Sequence, residues 1–166
     1  MTEGGLITQA AAGDADALEQ LIRTFAPTVY AYLAGMLGDE REAEDAMQET
    51  FVRVARAVER YDESTDPEAW VFGIARRVAG DIRPTPASPP GEVPPEDGNM
   101  EEWAKRSLRA LPLELREVVV LKEILRWKPS RIAATLGTDE TQVADRLLDA
   151  HTRLADGMRG GGRAGE

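Results

Sequence analysis

Six of the ten prolines fall between Pro84 and Asn99, in PTPASPPGEVPPEDGN. Proline removes a backbone donor and disfavours helix in the residue before it. Residues 84–99 therefore read as an extended, mobile linker. That one segment divides a chain of 166 residues into two small parts, which must each build a core of their own.

The first part, residues 1–83, reads as all-helical. Asp14 or Asp16 can cap a helix start. Leu18, Leu21, Ile22 and Phe25 then recur at helical spacing, and Val29, Tyr30, Tyr32, Leu33 and Leu37 continue the pattern. Pro27 is expected to bend or restart this helix, and Gly38 to end it. A second helix is expected from about Glu40 to Tyr61, with Ala43, Met47, Phe51, Val54 and Val58 along one side. YDESTDP, Tyr61 to Pro67, breaks it. A third starts near Pro67, a favoured first-turn position, and carries Trp70, Phe72, Ile74, Ala75 and Val78.

The second part, residues 100–158, is helical again. Met100 to Leu111 is amphipathic through Trp103, Leu108 and Leu111, and a helix from Leu113 to Leu125 follows Pro112. A short helix, a turn at Gly137 and a longer helix come next, with Ile132, Ala133, Leu136, Val143, Leu147, Ala150 and Leu154 as shared core. Two helices joined by a turn with glycine suit a helix-turn-helix. Residues 159–166 read as a disordered tail. No stretch alternates in the manner of a strand, so the expected fold is all-α: two small helical domains joined by a proline-rich linker.

Several classes of function are excluded. The chain has no cysteine, hence no disulfide framework or thiolate metal site. There is no run of about 18 apolar residues, so no membrane partner is expected. The N-terminus lacks a signal-peptide pattern, and a cytoplasmic protein follows. His151, the single histidine, has no metal-ligand spacing around it. No phosphate-cradling glycine loop or nucleophile–base pair is present, so neither an enzyme nor a cofactor is expected. The formal net charge of −10 opposes nucleic-acid binding when taken whole. It is uneven: residues 1–83 carry 16 acids and 8 bases, whereas residues 100–166 carry 11 and 12. Basic patches remain available in the second part.

Three stretches in this order resemble the bacterial RNA polymerase sigma factors of the extracytoplasmic-function type. AEDAMQETFVRVARAVERYD is similar to the family's core-binding helix through Asp45, Gln48, Glu49 and Phe51. AWVFGIARRVAGDIR is similar to the helix that meets the downstream promoter element, at Trp70, Phe72, Ile74, Ala75, Arg76, Asp81 and Arg83. LRALPLELREVVVLKEIL followed by RIAATLG resembles the domain that meets the upstream element. The resemblance implies a sigma region 2-like bundle, a sigma region 4-like helix-turn-helix, and three partners: core RNA polymerase, promoter DNA and an anti-sigma factor.

Spacing bears on the first stretch independently. Asp45, Gln48, Glu49 and Val52 lie at i, i+3, i+4 and i+7, one strip of a helix. By spacing alone such a strip is more often a solvated acidic face. With the family pattern it becomes the strip that meets the clamp helices of the largest polymerase subunit. Arg76, Arg77 and Arg83 suit phosphates, and Trp70 with Phe72 either packs a core or supports an unstacked base. The family captures a flipped promoter base at the place of YDESTDP, and Asp62, Glu63 and Asp66 there oppose DNA. In the second part Arg126, Lys128, Ser130, Arg131 and Arg146 suit DNA contact. Ala144, Asp145, Asp149 and His151 stand where the family carries polar or basic residues. Two functions follow: a sigma factor, or a sigma-like interaction protein with weakened DNA binding that engages polymerase or an anti-sigma factor.

Overall fold

The structure, a computed structural model, describes residues 2–82 and 100–160, with backbone alone at Met100 and at 158–160. Arg83, the linker 84–99 and residues 161–166 of the expected tail lie outside the described residues. Every described element is helical, so the chain is all-α. It divides into two compact units, residues 1–34 with 39–83 and residues 35–38 with 84–166. No helix among the described residues is long and apolar enough to cross a membrane.

The first unit holds α1 (Glu3–Ala11), α2 (Ala15–Leu37) up to residue 34, α3 (Glu40–Ala57), a tighter turn at Val58–Arg60, and α4 (Pro67–Ile82). Short acceptor side chains start the helices by taking otherwise orphaned backbone donors. Thr2 accepts from the Gly5 amide, Asp14 from those of Asp16 and Ala17, Asp39 from Glu42 and Asp66 from Ala69, at 2.9–3.1 Å. α1 was not expected from the sequence, because only Leu6 and Ile7 of it are buried and two apolar residues set no period.

Two expectations are corrected here. α2 runs through Pro27 without restarting. Pro27 and Arg23, whose carbonyl loses its helical partner, are both exposed, so water can meet that carbonyl. The second expected helix stops at Ala57 and tightens for one turn before Tyr61.

The core of this unit is shared by three helices. Leu21, Phe25, Val29, Tyr32 and Leu33 of α2 are buried. So are Ala43, Ala46, Thr50, Phe51 and Val54 of α3, and Val71, Phe72, Ile74, Ala75, Val78 and Ala79 of α4. The rings of Tyr32 and Phe72 meet edge to face at 5.3 Å. The Thr50 hydroxyl donates to the Ala46 carbonyl at 2.7 Å, which allows a polar group in the core.

The second unit holds α5 (Met100–Ala110), α6 (Leu113–Val119), a widened turn at Val120–Ile124, α7 (Pro129–Leu136) and α8 (Glu140–Gly160). The expected helix from Leu113 to Leu125 is thus cut short. The Leu125 amide reaches back five residues to the Val120 carbonyl, and that of Trp127 reaches Leu121, both at 3.0 Å. α8 extends through Gly160, so the first two residues of the expected tail are helical. Gly137 ends α7 at φ 67°, a left-handed conformation that glycine adopts without strain. Asp139 then starts α8 by accepting from the Gln142 amide at 2.8 Å. Leu111, Leu115, Val119 and Ala150 form the core, with Leu108, Leu147 and Leu154 packed on it. Buried Arg116 donates to the Arg109 and Leu111 carbonyls, which fixes the turn between α5 and α6.

Phe72 is fully buried, and truncation leaves a cavity where its ring meets Tyr32. Phe72→Ala is expected to lower the stability of the first unit by about 3–5 kcal/mol. Denaturant unfolding followed by circular dichroism measures it.

Candidate functional site

α3 has two faces. Each residue advances the helix by about 100°. Ala43, Ala46, Thr50, Phe51 and Val54 cluster on one side and are buried. Asp45, Gln48, Glu49 and Val52 fall on the other side, and all four are exposed, Val52 at 42%. They form one continuous outward strip of two carboxylates, one amide and one apolar side chain. Such a strip accepts charge-assisted hydrogen bonds from lysine or arginine and offers a small apolar contact beside them.

Sequence reasoning missed Arg53. Its Nε donates to Glu49 Oε1 at 2.9 Å and one terminal nitrogen donates to Asp81 Oδ2 of α4 at 2.8 Å. These bonds, to Glu49 first and Asp81 second, raise the Arg53 pKa above its ordinary value. All three side chains are in contact with water, so the pairs contribute little to stability. They do orient Glu49. The signal was the i, i+4 spacing of Glu49 and Arg53.

The α4 residues separate. Phe72 is buried against Tyr32 and therefore packs the core. Trp70 is half-buried, its ring edge-on to Tyr61 at 5.1 Å. Arg77 is exposed and Arg76 half-buried.

In the loop before α4, Asp62 accepts from the Ser64 amide at 2.9 Å, which holds its pKa below the ordinary value. Asp66 caps α4. The Thr8 hydroxyl of α1 donates to Glu63 Oε1 at 3.3 Å. Each of the three acids thus has a local structural partner. Tyr61 donates to the Thr65 carbonyl at 2.6 Å. Burial, then Asp66, Glu63 and Asp62, raises the Tyr61 pKa, so the phenol stays protonated at neutral pH. An open cleft of about 500 Å³ lies here, lined by Thr2, Gly4, Gly5, Thr8, Gln9, Tyr61 and Glu63.

Three bases of the second unit, Arg126, Lys128 and Arg131, lie just before and in the first turn of α7. Arg126, Lys128 and Ser130 are exposed. Arg131 is half-buried, its guanidinium 4.1 Å from the centre of the Trp127 ring, a cation–π contact. Arg126 adopts φ 59°, which costs a non-glycine residue about 1–2 kcal/mol. On α8, Val143 and Ala150 point inward. Thr141, Ala144, Asp145, Leu148, Asp149 and Thr152 are exposed, and Arg146 is half-buried on the flank. His151 is exposed, 3.7 Å from Glu123. No group of acids and histidine among the described residues is placed to hold a metal.

Comparison with known proteins is consistent across sequence and structure. The family model for sigma-70 region 2 matches residues 21–82. The ECF RNA polymerase sigma factor SigE of Mycolicibacterium smegmatis is 34% identical over 88% of the chain, which spans 64% of that relative's length. The RNA polymerase sigma factor CarQ of Myxococcus xanthus is 31% identical, covering 87% of the chain and 90% of CarQ. The solved structure of CnrH in complex with the cytosolic domain of CnrY is 26% identical, with a TM-score of 0.72 over 93% of this chain and 95% of that one.

Asp145 and Asp149 are exposed, and Asp149 pairs with Arg153 at 3.0 Å near water. Asp145→Lys with Asp149→Arg removes two repulsions and adds two phosphate partners. Affinity for duplex DNA is expected to rise about tenfold or more at low salt, with a steeper salt dependence. The melting temperature stays within about 2 °C, since exposed pairs contribute under about 1 kcal/mol. Fluorescence anisotropy across a salt series measures the first, and a thermal melt the second.

Proposed function

The chain belongs to the extracytoplasmic-function family of RNA polymerase sigma factors, and we propose that Asp45, Gln48, Glu49 and Val52 are the strip by which it grips core polymerase. Its function is that of the family: it binds core RNA polymerase and directs promoter-specific initiation. It acts by recruitment and strand separation in the cytoplasm, with no bond chemistry of its own.

The observation that carries the residue-level reading is the outward strip on α3. A helix that buries one face and exposes acids, an amide and a valine on the other is built for a cationic helix. The clamp helices of the largest polymerase subunit are that partner in the family. Val52 adds apolar contact at the far end of the strip.

Trp70, Arg76, Arg77 and Arg83 face the downstream promoter element in this reading. Trp70 and Tyr61 give the base-capturing loop an aromatic wall, and the arginines meet phosphates. Asp62, Glu63 and Asp66 are held by neutral donors and keep their charge, so DNA contact at this loop depends on the aromatic wall and the nearby arginines. Arg126, Lys128, Ser130, Arg131 and Arg146 anchor the second unit to phosphates upstream. Polymerase binding by the first unit raises the effective concentration of the second at its element, so each unit alone needs little affinity. An anti-sigma factor is the regulatory partner. A sigma-like protein without promoter function is the weaker reading, since family membership runs across both units.

Transcription in vitro tests this. Purified core polymerase with the chain is expected to start transcripts at defined promoters in a genomic fragment library, and core polymerase alone is not. A library that gives no promoter-specific start with the chain present contradicts the proposal.

A further inference from the structure

α8 is the second helix of the helix-turn-helix, and its outermost row is unusual for a DNA reader. Val143, Leu147, Ala150 and Leu154 face the core side. Opposite them, by helical rotation, lie Thr141, Asp145, Leu148 and Thr152, all exposed, with Leu148 at 67%. Some of the polar groups on or beside this face are engaged locally. The Thr152 hydroxyl donates to the Leu148 carbonyl at 2.8 Å, Asp149 holds Arg153, and the Thr138 hydroxyl donates to the Gln142 side-chain oxygen. What the row offers a groove is one carboxylate, Asp145, the hydroxyl and methyl of Thr141, and the apolar ends of Ala144 and Leu148.

That inventory selects bases. A carboxylate only accepts hydrogen bonds. Guanine shows the major groove two acceptors, and adenine shows an acceptor beside its amino group. Cytosine shows an amino donor with no acceptor on its own edge, and thymine shows a methyl group. Asp145 therefore suits cytosine, and Leu148 with Ala144 suits thymine. Residues 145 and 148 are about 4.5 Å apart along the helix axis, and base pairs rise about 3.4 Å, so the two bases are one or two pairs apart.

We propose that Asp145 and Leu148 are specificity-determining residues of the second unit, reading a cytosine amino group and a nearby thymine methyl in the major groove of the upstream promoter element. This rests on the sigma-factor reading above and names the bases it leaves open. Orientation on the duplex comes from Arg126 and Lys128, which are exposed before and at the start of α7. Their phosphate contacts offset the repulsion between phosphates and Asp145, which is modest in water and decays within a screening length of about 8–10 Å. A protein ligand on the same row is disfavoured by size. A stable protein interface buries about 800 Å² per partner, and here one leucine stands among threonines and carboxylates.

The test uses holoenzyme reconstituted from core polymerase and the full chain, on promoters whose upstream element is randomised. Each template carries a barcode in its transcribed region that is paired with its upstream element, and the barcodes in the RNA are then sequenced. The unaltered chain is expected to enrich cytosine at one position and thymine one or two pairs away, each about 5- to 10-fold. Asp145→Asn is expected to move the first preference from cytosine to adenine, because an amide both donates and accepts. Leu148→Ala is expected to flatten the thymine preference and leave the cytosine in place. Both sites are exposed, and thermal melts of the variants should match that of the parent chain. Promoter-specific transcription with the parent base preferences in both variants overturns this inference and leaves the sigma-factor reading intact. Loss of a bound protein from either variant, with base preferences unchanged, overturns it in favour of protein docking. No promoter-specific start with any chain removes both readings.

Discussion

α3 must be buried on one side and wet on the other, and the first unit depends on that division. Phe51 and Val54 can close a core with α2 and α4 only if the helix is held in one rotation. That same rotation turns Asp45, Gln48, Glu49 and Val52 outward together. The packing that stabilises the unit thereby also presents the strip proposed to bind polymerase, and a slip of one residue would lose both. Arg53 refines this by bonding Glu49 and Asp81 at once, so a strip residue on α3 is oriented partly from α4.

The acidity of the chain takes on a different meaning when each charge is located. In the loop before α4, Asp62 and Asp66 terminate backbone donors, and Glu63 meets Thr8 of α1. These acids are parts of the fold. On α3 the acids point to solvent and suit a cationic partner. On α8 the acids weaken general attraction to phosphate, and in the proposed reading Arg126, Lys128 and Arg131 near the start of α7 supply it instead. A protein anchored by its first unit can accept a second unit that is selective and weakly adhesive. Steering by overall charge is then unnecessary.

How far the sequence reached depends on the physics of each element. Long amphipathic helices were legible, because the 3.6-residue period of α2, α3 and α8 is set by burial. The outward strip of α3 was legible for the same reason. α1 was not, since Leu6 and Ile7 alone define no period. The widened turn at Val120–Ile124 was hidden inside a continuous apolar run, where periodicity cannot register an extra residue. Pro27 did not restart α2, and because it and Arg23 are exposed the carbonyl that loses its helical partner can meet water. Side-chain networks were the least legible. Arg53 with Asp81 and Thr8 with Glu63 join residues 28 and 55 positions apart, and no local pattern marks them.

The central claim is that the exposed strip of α3 holds core polymerase through its carboxylates. The most direct measurement is the equilibrium affinity of purified core polymerase for a chain carrying Asp45→Lys and Glu49→Lys. A chain carrying Glu19→Lys and Glu59→Lys has the same charge change elsewhere on the first unit and serves as the control. Two lost charge-assisted hydrogen bonds predict at least a tenfold weaker complex for the strip variant, with its melting temperature close to that of the parent chain. The control should stay within about twofold of the parent. A strip variant that binds core polymerase as tightly as the parent would contradict the account.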